Sequence, residues 1–354
     1  MTTMRAYHIP NWQSTPELAS VAVPEPGPGE VLVRVSAVGL CHSDIGMQQI
    51  PAEVGTMLGW SVPFTLGHEI AGTVAALGAG VESFAVGDAV AVAATNPCGV
   101  CWYCLRGEDQ NCVLPGGRGY GADGGLAEFV RVASVTHLLP LDGLDPAFAA
   151  PLTDAGATAY HAVQRVLHKL TPESTAVVLG TGGLGGYAVQ FLKLLGSARV
   201  IGVEPNAERR KLAQDLGADE VIDGVNEGTA DALKERTGGR GAEVVLDFVG
   251  VDATIAAGVA ATARGGSYGV VGAGGGSLPT QQGWFGDLPR DGEVFTFQGS
   301  SLRDLRGVFA LAQRGLLQSP IETFPFDRVE EAYERLLAGT LTGRAVVTMP
   351  KGQG

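Results

Sequence analysis

The chain has 354 residues, of which 45% are hydrophobic, so it is long enough for two domains with large buried cores. Its formal net charge of −13 disfavours nucleic acids and anionic membrane surfaces as partners, because both are negatively charged. The first residues, MTTMRAYHIPNWQSTP, lack the apolar segment of a secretory signal, and no apolar run is long enough to predict a membrane span. We therefore expect a cytoplasmic protein whose thiols stay reduced.

The first 156 residues predict a β-rich domain. Apolar and β-branched residues are concentrated in short segments separated by glycine, proline and small polar residues, as in strands joined by turns. The clearest of these segments are 30–39, 72–77, 88–94 and 126–132.

Three potential metal ligands lie far apart in this part of the chain. Cys41 stands in GLCHSD, His68 in GHE and Asp154 in PLTDAG. Each residue type is an accepted zinc ligand, although a lone cysteine or histidine is more often a core residue. The segment around Asp154 is otherwise small and apolar, so an unpaired carboxylate would be costly there and a cation is expected opposite it. These residues are a candidate metal site.

The other four cysteines lie within fifteen residues, with the spacing Cys98-x2-Cys101-x2-Cys104-x7-Cys112. Four thiolates can surround one zinc ion and leave no open position, which predicts a structural site in a lobe at 97–113. An iron–sulfur cluster and free thiols are alternatives, but the bacterial iron–sulfur pattern has a different fourth spacing. A zinc finger for nucleic acid is disfavoured because the segment LRGEDQN is not basic.

Residues 175–204 predict a strand, a tight turn, a helix and a second strand. Gly180, Gly182 and Gly185 form G-x-G-x-x-G directly after an apolar strand. In this pattern the glycines permit the turn, allow backbone to approach a pyrophosphate and let the helix pack on the strand. The pattern therefore predicts a dinucleotide at the N-terminus of the helix.

The identity of the dinucleotide depends on the end of the second strand. Glu204 follows Gly185 by 19 residues, where an acidic residue binds the adenosine ribose and repels a 2′-phosphate. This position predicts NAD, while Arg209 and Arg210 leave NADP open as an alternative.

The rest of the chain continues this pattern. Apolar segments at 218–223, 243–250 and 266–276 predict further strands of a doubly wound parallel sheet. The segment 328–339 predicts an amphipathic helix.

With the motif GHE-x2-G-x5-G at 67–78, the four-cysteine lobe and GTGGLG at 180–185 in this order, the chain resembles the zinc-dependent alcohol dehydrogenases of the medium-chain dehydrogenase/reductase superfamily. It looks most similar to bacterial secondary-alcohol dehydrogenases. The resemblance implies an α/β protein with a GroES-like β-rich catalytic domain at 1–156, a Rossmann domain with a doubly wound parallel sheet at 157–298, and a return to the catalytic domain at 299–354.

The resemblance also implies two zinc ions per chain. The catalytic ion would be held by Cys41, His68 and Asp154, with water, substrate or, in a resting form, Glu69 at the fourth position. Asp44 matches the carboxylate that orients the histidine ligand. The four cysteines of the lobe match the structural zinc site.

The implied reaction is hydride transfer between a carbinol carbon and NAD, with Ser43 taking the proton of the alcohol. Many relatives place a histidine three residues after this serine, whereas this chain has Gly46, so the proton must pass to water or to another group. Positions that match cofactor contacts of the family are His42, Thr158, Gly180, Gly182, Gly183, Leu184, Gly185, Glu204, Arg209, Val249, Val271, Gly272, Ala273 and Arg344.

The substrate is less well determined by the sequence. Met57, Trp60 and Phe64 resemble residues of the pocket-forming loop but also suit a core, and Trp284 and Phe285 match a region that borders the pocket or a subunit contact. Several relatives have a bulky aromatic residue where this chain has Ala94. A small residue there predicts room for the second substituent of a secondary alcohol, with aryl groups included.

Several alternatives remain at this point. Polyol, cinnamyl and formaldehyde dehydrogenases share the zinc sites and the fold. An NADPH-linked quinone or enone reductase has the same fold but generally lacks the zinc ligands, and a non-catalytic zinc module would not need the dinucleotide fingerprint. The resemblance implies a homo-oligomer, a tetramer or a dimer, that acts on a small-molecule substrate.

Overall fold

The computed structural model describes residues 2–114, 116–278, 283–297 and 299–350. Its strands are β1 (Thr3–Ile9), β2 (Glu17–Ala22), β3 (Val31–Gly39), β4 (Phe64–Thr65), β5 (Glu69–Leu77), β6 (Ala89–Val92), β7 (Gly117–Arg118), β8 (Gly121–Ala122), β9 (Phe129–Val132), β10 (Leu138–Pro140), β11 (Thr175–Leu179), β12 (Arg199–Val203), β13 (Glu220–Ile222), β14 (Ala242–Asp247), β15 (Thr262–Val270), β16 (Glu293–Thr296), β17 (Ile321–Pro325) and β18 (Arg344–Thr348).

The α-helices are α1 (His42–Met47), α2 (Ala52–Met57), α3 (Pro146–Ala149), α4 (Ala155–Val166), α5 (Gly185–Leu195), α6 (Ala207–Asp215), α7 (Thr229–Arg236), α8 (Asp252–Ala261), α9 (Trp284–Asp287), α10 (Leu302–Gln313) and α11 (Val329–Leu337). Short 3-10 turns lie at Cys104–Arg106, Asp109–Asn111, Val135–His137, Ala150–Thr153, Leu167–Lys169 and Phe326–Arg328. None of the described helices is long and apolar enough to cross a bilayer.

The chain forms two compact units, one of Met1–Ala157 with Gly299–Gly354 and the other of Thr158–Gln298. The main sheet of the first unit has the order β10-β6-β5-β3-β18-β17, with β9 also paired to β3. Valine, leucine and isoleucine side chains of these strands fill its core, as β-branched and apolar residues favour. Gly72 is required inside β5 because a Cβ there would lie 2.1 Å from the carbonyl oxygen of Arg34.

The pairing of β3 with β5 explains why two of the predicted ligands meet. The strands are antiparallel, and Gly39 at the end of β3 lies opposite Glu69 at the start of β5. Residues just outside these two ends, Cys41 and His68, therefore lie at the same edge of the sheet. The 3-10 turn that ends immediately before Asp154 packs on both strands and brings a third ligand to this edge.

The second unit contains six parallel strands in the order β13-β12-β11-β14-β15-β16. The chain leaves β11 toward β12 on one side and later returns to the other side of β11 as β14, so the strand order reverses between them. In open sheets of this kind, ligands bind at the carboxyl ends of the strands at this reversal. Short helices follow the strands, and their apolar faces cover a core built from both.

One predicted strand ends well before its segment does. The segment 266–276 predicts a strand of the parallel sheet, and β15 indeed occupies Thr262–Val270, but the glycine-rich remainder is a loop. The reason is close backbone contact: a Cβ on Gly272 would lie 2.5 Å from the backbone nitrogen of Val249. These glycines allow the loop after β15 to lie against the loop after β14.

Candidate active site

Three side chains from distant parts of the sequence meet in the first unit. One donor atom from each of Cys41, His68 and Asp154 lies within 4.8 Å of the other two. The His68 side chain is fully buried, whereas the Asp154 side chain is 19% exposed, so the cluster is closed on one side and reaches solvent on the other.

Asp44 fixes the orientation of His68. Its Oδ1 lies 3.0 Å from Nδ1 of the imidazole, and both side chains are fully buried. Because a carboxylate accepts hydrogen bonds, Nδ1 carries the proton and the lone pair of Nε2 is left to face Asp154, whose Oδ2 lies 3.4 Å away. Oδ2 of Asp44 accepts a hydrogen bond of 2.9 Å from the backbone of Cys41. One carboxylate thus positions two of the three ligands.

This set of donors fits a zinc ion. A thiolate from Cys41, a carboxylate from Asp154 and the lone pair of a neutral imidazole would repel one another unless a cation lay between them. Sulfur, nitrogen and carboxylate oxygen are all ligands that zinc accepts. Three protein ligands leave one tetrahedral position open, which is the arrangement of catalytic zinc sites.

The four cysteines of the lobe also come together. Their sulfur atoms lie within 4.8 Å of one another. Backbone N–H groups of Val100 and Cys101 point at the sulfur of Cys98 and lower the pKa of its thiol. Those of Cys104 and Val113 lower the pKa of Cys101 to about 6. The backbone of the lobe therefore favours the thiolate forms of Cys98 and Cys101 that a metal requires, whereas burial raises the pKa of Cys104 to about 12.

Two buried side chains, Arg118 and His137, fix the segment that precedes the lobe. Arg118 Nη1 donates hydrogen bonds to the backbone oxygens of Ala93 and Thr95, at 2.8 and 3.0 Å. Its Nη2 lies 3.3 Å from Nδ1 of His137, and Nε2 of the same imidazole lies 3.1 Å from the carbonyl oxygen of Pro97. These bonds fix the backbone of residues 93–97, which leads directly to Cys98, the first cysteine of the lobe.

The glycine-rich turn of the second unit has the expected construction. Gly180 has a φ of +78°, and a Cβ on Gly185 would lie 1.9 Å from the carbonyl oxygen of Gly180. A Cβ on Gly182 would have only Nη1 of Arg209 nearby, at 3.9 Å. The second glycine therefore exposes backbone to a ligand, while the other two permit the turn and the packing of α5 on β11. Gly183 and Leu184 complete this turn, and Leu184 is the N-cap of α5.

Glu204 lies directly after β12 and is 3% exposed. Its carboxylate accepts hydrogen bonds from the backbone N–H groups of Thr181 and Asn206, at 3.0 and 3.1 Å. The acidic group is thus adjacent to the glycine turn, as the motif predicts. Arg210 donates to the carbonyl oxygens of Glu204 and Pro205 and pairs with an aspartate, so this arginine is already engaged.

Two family models match the two parts of the chain. The alcohol dehydrogenase GroES-like domain matches residues 27–143, and the zinc-binding dehydrogenase matches residues 183–312. An NAD-dependent alcohol dehydrogenase of Sulfurisphaera tokodaii is 34% identical over 354 residues, which is 97% of this chain and 99% of the relative. The chain belongs to the zinc-dependent alcohol dehydrogenase family.

Two solved structures are similar to the whole chain. The alcohol dehydrogenase of Aeropyrum pernix superposes with a TM-score of 0.89 at 32% identity, covering 97% of this chain and 99% of that one. The acetophenone reductase of Geotrichum candidum, solved in complex with NAD, has a TM-score of 0.86 at 31% identity, with 98% and 97% covered. The predicted GroES-like and Rossmann folds of an alcohol dehydrogenase are therefore confirmed.

The structure of this alcohol dehydrogenase does not bring Glu69 into the cluster of Cys41, His68 and Asp154. Its Oε1 accepts hydrogen bonds from Arg344 and from the backbone of Ala155. Burial raises the pKa of Glu69 to about 7, although the Arg344 guanidinium acts in the opposite direction. A Cβ on Gly39 would lie 1.9 Å from Oε2, so this glycine provides the space that the carboxylate occupies. Arg344, expected among the cofactor contacts, is 6% exposed and has Glu69 as an ionic partner.

One residue of the site was missed by the sequence analysis. Oη of Tyr120 lies 2.9 Å from Oγ of Ser43 and 3.1 Å from Nε2 of His68. Its ring packs on the imidazole at a centroid distance of 4.7 Å. The signal in the sequence was the segment GGRGYGADGG, in which one tyrosine stands among closely spaced glycines.

The predicted pocket residues have different environments. Phe64 is 3% exposed and belongs to the core of the first unit, whereas Met57 is 78% exposed. Trp60 is half-buried and faces Tyr120 at a ring-centroid distance of 6.3 Å. Ala94 is buried at 8% exposure. Trp60 is thus placed beside a residue that touches the metal-ligand cluster.

The remaining predicted contacts lie at the ends of strands or on helices. Val249 follows β14, and its Cγ2 would lie 2.5 Å from a Cβ on Gly180, so the two loops are adjacent. Val271, Gly272 and Ala273 directly follow β15. His42 begins α1 in the first unit, and Thr158 lies buried in α4. Trp284 and Phe285 are 73% and 83% exposed in α9.

Proposed function

We propose that this chain is an NAD-dependent, zinc-containing alcohol dehydrogenase that interconverts secondary alcohols and ketones. The observation that carries the proposal is the meeting of Cys41, His68 and Asp154 with Asp44 bound to the imidazole. The Sulfurisphaera relative supports the reaction and the cofactor. The acetophenone reductase supports the substrate class, because reduction of an aryl methyl ketone gives a secondary alcohol.

In this proposal the unit Met1–Ala157 with Gly299–Gly354 is the catalytic domain predicted at 1–156 and 299–354. The unit Thr158–Gln298 is the NAD domain predicted at 157–298.

Cys41, His68 and Asp154 hold the catalytic zinc. The ion supplies Lewis acidity to the oxygen of the alcohol or ketone, and NAD supplies the acceptor of the hydride. Asp44 keeps Nδ1 of His68 protonated, so Nε2 remains a ligand, and its bond to the backbone of Cys41 limits movement of the sulfur. The cysteines of the lobe hold a second zinc with a structural role.

Ser43 accepts the proton of the alcohol hydroxyl. Its Oγ already forms a hydrogen bond to Tyr120, and it lies one residue before the carboxylate that positions the ligands. Gly46 is exposed and has no side chain to carry the proton further. The proton therefore passes to water or to another neighbour of Ser43, such as the Tyr120 hydroxyl.

NAD binds at the carboxyl ends of β11, β12, β14 and β15 in the second unit. The backbone exposed at Gly182 and the N-terminus of α5 suit a pyrophosphate. Glu204 lies beside this turn, so its carboxylate is positioned for the adenosine ribose and against a 2′-phosphate. Arg209 is the basic residue beside the same turn.

The substrate is a small alcohol or ketone, and the protein acts in the cytoplasm as a homo-oligomer. The small side chain of Ala94, where several relatives have a bulky aromatic residue, supports room for a second substituent on the carbinol carbon. The lobe supports the location, because its four thiols must stay reduced to bind zinc. The oligomer, a tetramer or a dimer, remains a prediction from the family.

The test is the initial rate of NADH formation from NAD⁺ across primary, aliphatic secondary and aryl secondary alcohols, a polyol and an aldose. We expect the highest kcat/KM for a secondary alcohol, loss of rate with a chelator, and a low rate with NADP⁺. Zinc content of the purified protein, expected at two per chain, accompanies the assay. A higher kcat/KM for ethanol or for the polyol than for every secondary alcohol would replace the proposed substrate class.

A further inference from the structure

The hydroxyl of Tyr120 lies between the two groups that a substrate oxygen would have to contact. It is 2.9 Å from Oγ of Ser43, the proposed proton acceptor, and 3.1 Å from Nε2 of His68. Nε2 is the nitrogen available to a metal, because Nδ1 is bonded to Asp44. The phenol oxygen of Tyr120 therefore lies where a substrate oxygen would contact both Ser43 and a metal bound to Nε2 of His68.

The distances match those between ligands of one ion. Two ligands at about 2.0 to 2.2 Å from a tetrahedral zinc are separated by roughly 3.3 to 3.6 Å. Oδ2 of Asp154 lies 3.4 Å from Nε2 of His68, and Oη of Tyr120 lies 3.1 Å from the same nitrogen. The phenol oxygen thus lies within a few tenths of an ångström of the distance from Nε2 that an accepted ligand has.

The position of the Tyr120 side chain is fixed by its surroundings. Its ring lies against the imidazole of His68 on one side and faces Trp60 on another. Gly121 has a φ of +72°, and a Cβ there would lie 2.3 Å from Cβ of Trp60. The glycine allows the tryptophan to pack over the backbone next to Tyr120.

Glu69, which the family resemblance offers as a fourth ligand, is held away from the cluster. Glu69 directly follows His68 in sequence, but its Oε1 is bound by Arg344 and by the backbone of Ala155. A carboxylate with a buried cationic partner loses that pairing if it moves. Tyr120 needs no such movement to reach Nε2.

We propose that the Tyr120 hydroxyl is the fourth donor group of the catalytic metal before substrate binds, and that the substrate oxygen displaces it. The proposal rests on the metal centre of the proposed function. Ser43 holds the phenol oxygen in this position by a hydrogen bond and is released to bind the substrate oxygen when the phenol leaves. The alcohol must therefore compete with a group of the protein.

The experiment uses the full-length protein with Co²⁺ at the catalytic site and zinc in the lobe, without substrate. We expect Tyr120→Phe to change the visible absorption of the bound Co²⁺, because an oxygen donor is lost. Imidazole, used as a probe of the metal, should bind the variant about tenfold more tightly, since apparent affinity is reduced by the fraction of molecules in which the position is taken.

Tyr7→Phe is the matched control. Tyr7 is a buried tyrosine of the same unit and is stacked on Tyr333. Removal of its hydroxyl group should leave the Co²⁺ spectrum and the imidazole affinity unchanged. Tyr120→Leu also lacks the oxygen and replaces the phenylalanine variant if that variant does not fold.

The outcomes separate this inference from the proposed function. Two metals per chain, with the same spectrum and imidazole affinity in Tyr120→Phe as in the unchanged protein, would overturn the role of Tyr120 and leave the dehydrogenase intact. One metal per chain, held by the lobe alone, would overturn both. A changed spectrum with tighter imidazole binding in Tyr120→Phe, and neither change in Tyr7→Phe, would support the proposal.

Discussion

The two metal-ligand clusters of this chain are built in opposite ways. The lobe takes its four cysteines from fifteen consecutive residues, and backbone N–H groups of the same segment point at their sulfur atoms. The centre of Cys41, His68 and Asp154 takes its ligands from three segments that meet because β3 pairs with β5 and the 3-10 turn before Asp154 packs on both strands. The lobe is thus a local structure, whereas the centre exists only in the folded unit.

This difference predicts that the two metals have different tasks. A local site with four ligands contributes to folding, because the metal replaces a hydrophobic core that the lobe lacks; several of its apolar side chains are exposed. A site with three ligands from a rigid sheet edge can keep one position open without loss of structure. Each cluster can therefore be disrupted separately.

Cys104→Ser should have the largest effect on stability. Structural zinc binds with about 10 kcal/mol or more, so loss of one of the four thiolates should release the lobe metal and lower the midpoint of thermal unfolding by roughly 10 °C or more. Thermal unfolding followed by circular dichroism, with zinc content, measures this. Val113→Ala, an exposed position of the lobe, is the control. An unchanged midpoint would show that the lobe does not stabilise the unit.

His68→Ala should lower activity strongly and leave the zinc of the lobe in place. Loss of the buried ligand removes the metal that polarises the substrate, so kcat/KM should fall by about a thousandfold or more, equivalent to about 4 kcal/mol. The lobe should keep its zinc, and the metal content should fall from two per chain to one. Retained activity at one metal per chain would contradict the division of tasks between the two clusters.

The two clusters also differ in the side chains that support them. His137 supports the lobe, and its protonation should make the stability of the protein depend on pH. Burial, and then the Arg118 guanidinium, lower the pKa of His137 to about 4. The imidazole accepts from Arg118 and donates to Pro97, which only the neutral form can do. Between pH 6.5 and 4 the unfolded chain binds the proton that the folded chain does not, so stability falls as pH falls through this range.

The expected loss is at most about 3 kcal/mol, from a shift of roughly two and a half pKa units. The free energy of unfolding in urea at pH 7 and pH 5 measures the part of this loss that falls above pH 5, about 2 kcal/mol. His137→Gln should be less stable at pH 7 but should lose less stability on acidification. Equal losses in the two proteins would assign the acid sensitivity to carboxylates instead.

The same comparison explains which residues of the two clusters could be predicted from the sequence. The lobe and the glycine turn are local patterns, so spacing alone predicted their residues, and the structure places those residues together. Residue type and context made Cys41, His68 and Asp154 a candidate metal site, but only the family resemblance implied that they hold one catalytic zinc, because nothing local says that the ends of β3 and β5 meet. Tyr120 was not found, since the effect of its glycines depends on where Trp60 packs. Phe64 and Met57 could not be assigned, because an apolar residue in a loop suits a core, a pocket or the surface.

Asp44→Asn should have the smallest effect and tests how the buried centre is held. The amide keeps the shape of the carboxylate but loses its charge, so the imidazole of His68 is oriented less strongly and the backbone of Cys41 is bound less tightly. Loss of such a partner typically lowers metal affinity by about 10- to 100-fold, or roughly 1.4 to 2.7 kcal/mol. Competition with a chelator, monitored by zinc release, should show one fast-releasing metal in the variant and an unchanged slow one from the lobe. Asp145→Asn is the control, because asparagine caps α3 as well as aspartate does. If the lobe metal were released faster instead, the two clusters would be coupled, and the view of one local and one tertiary site would have to be abandoned.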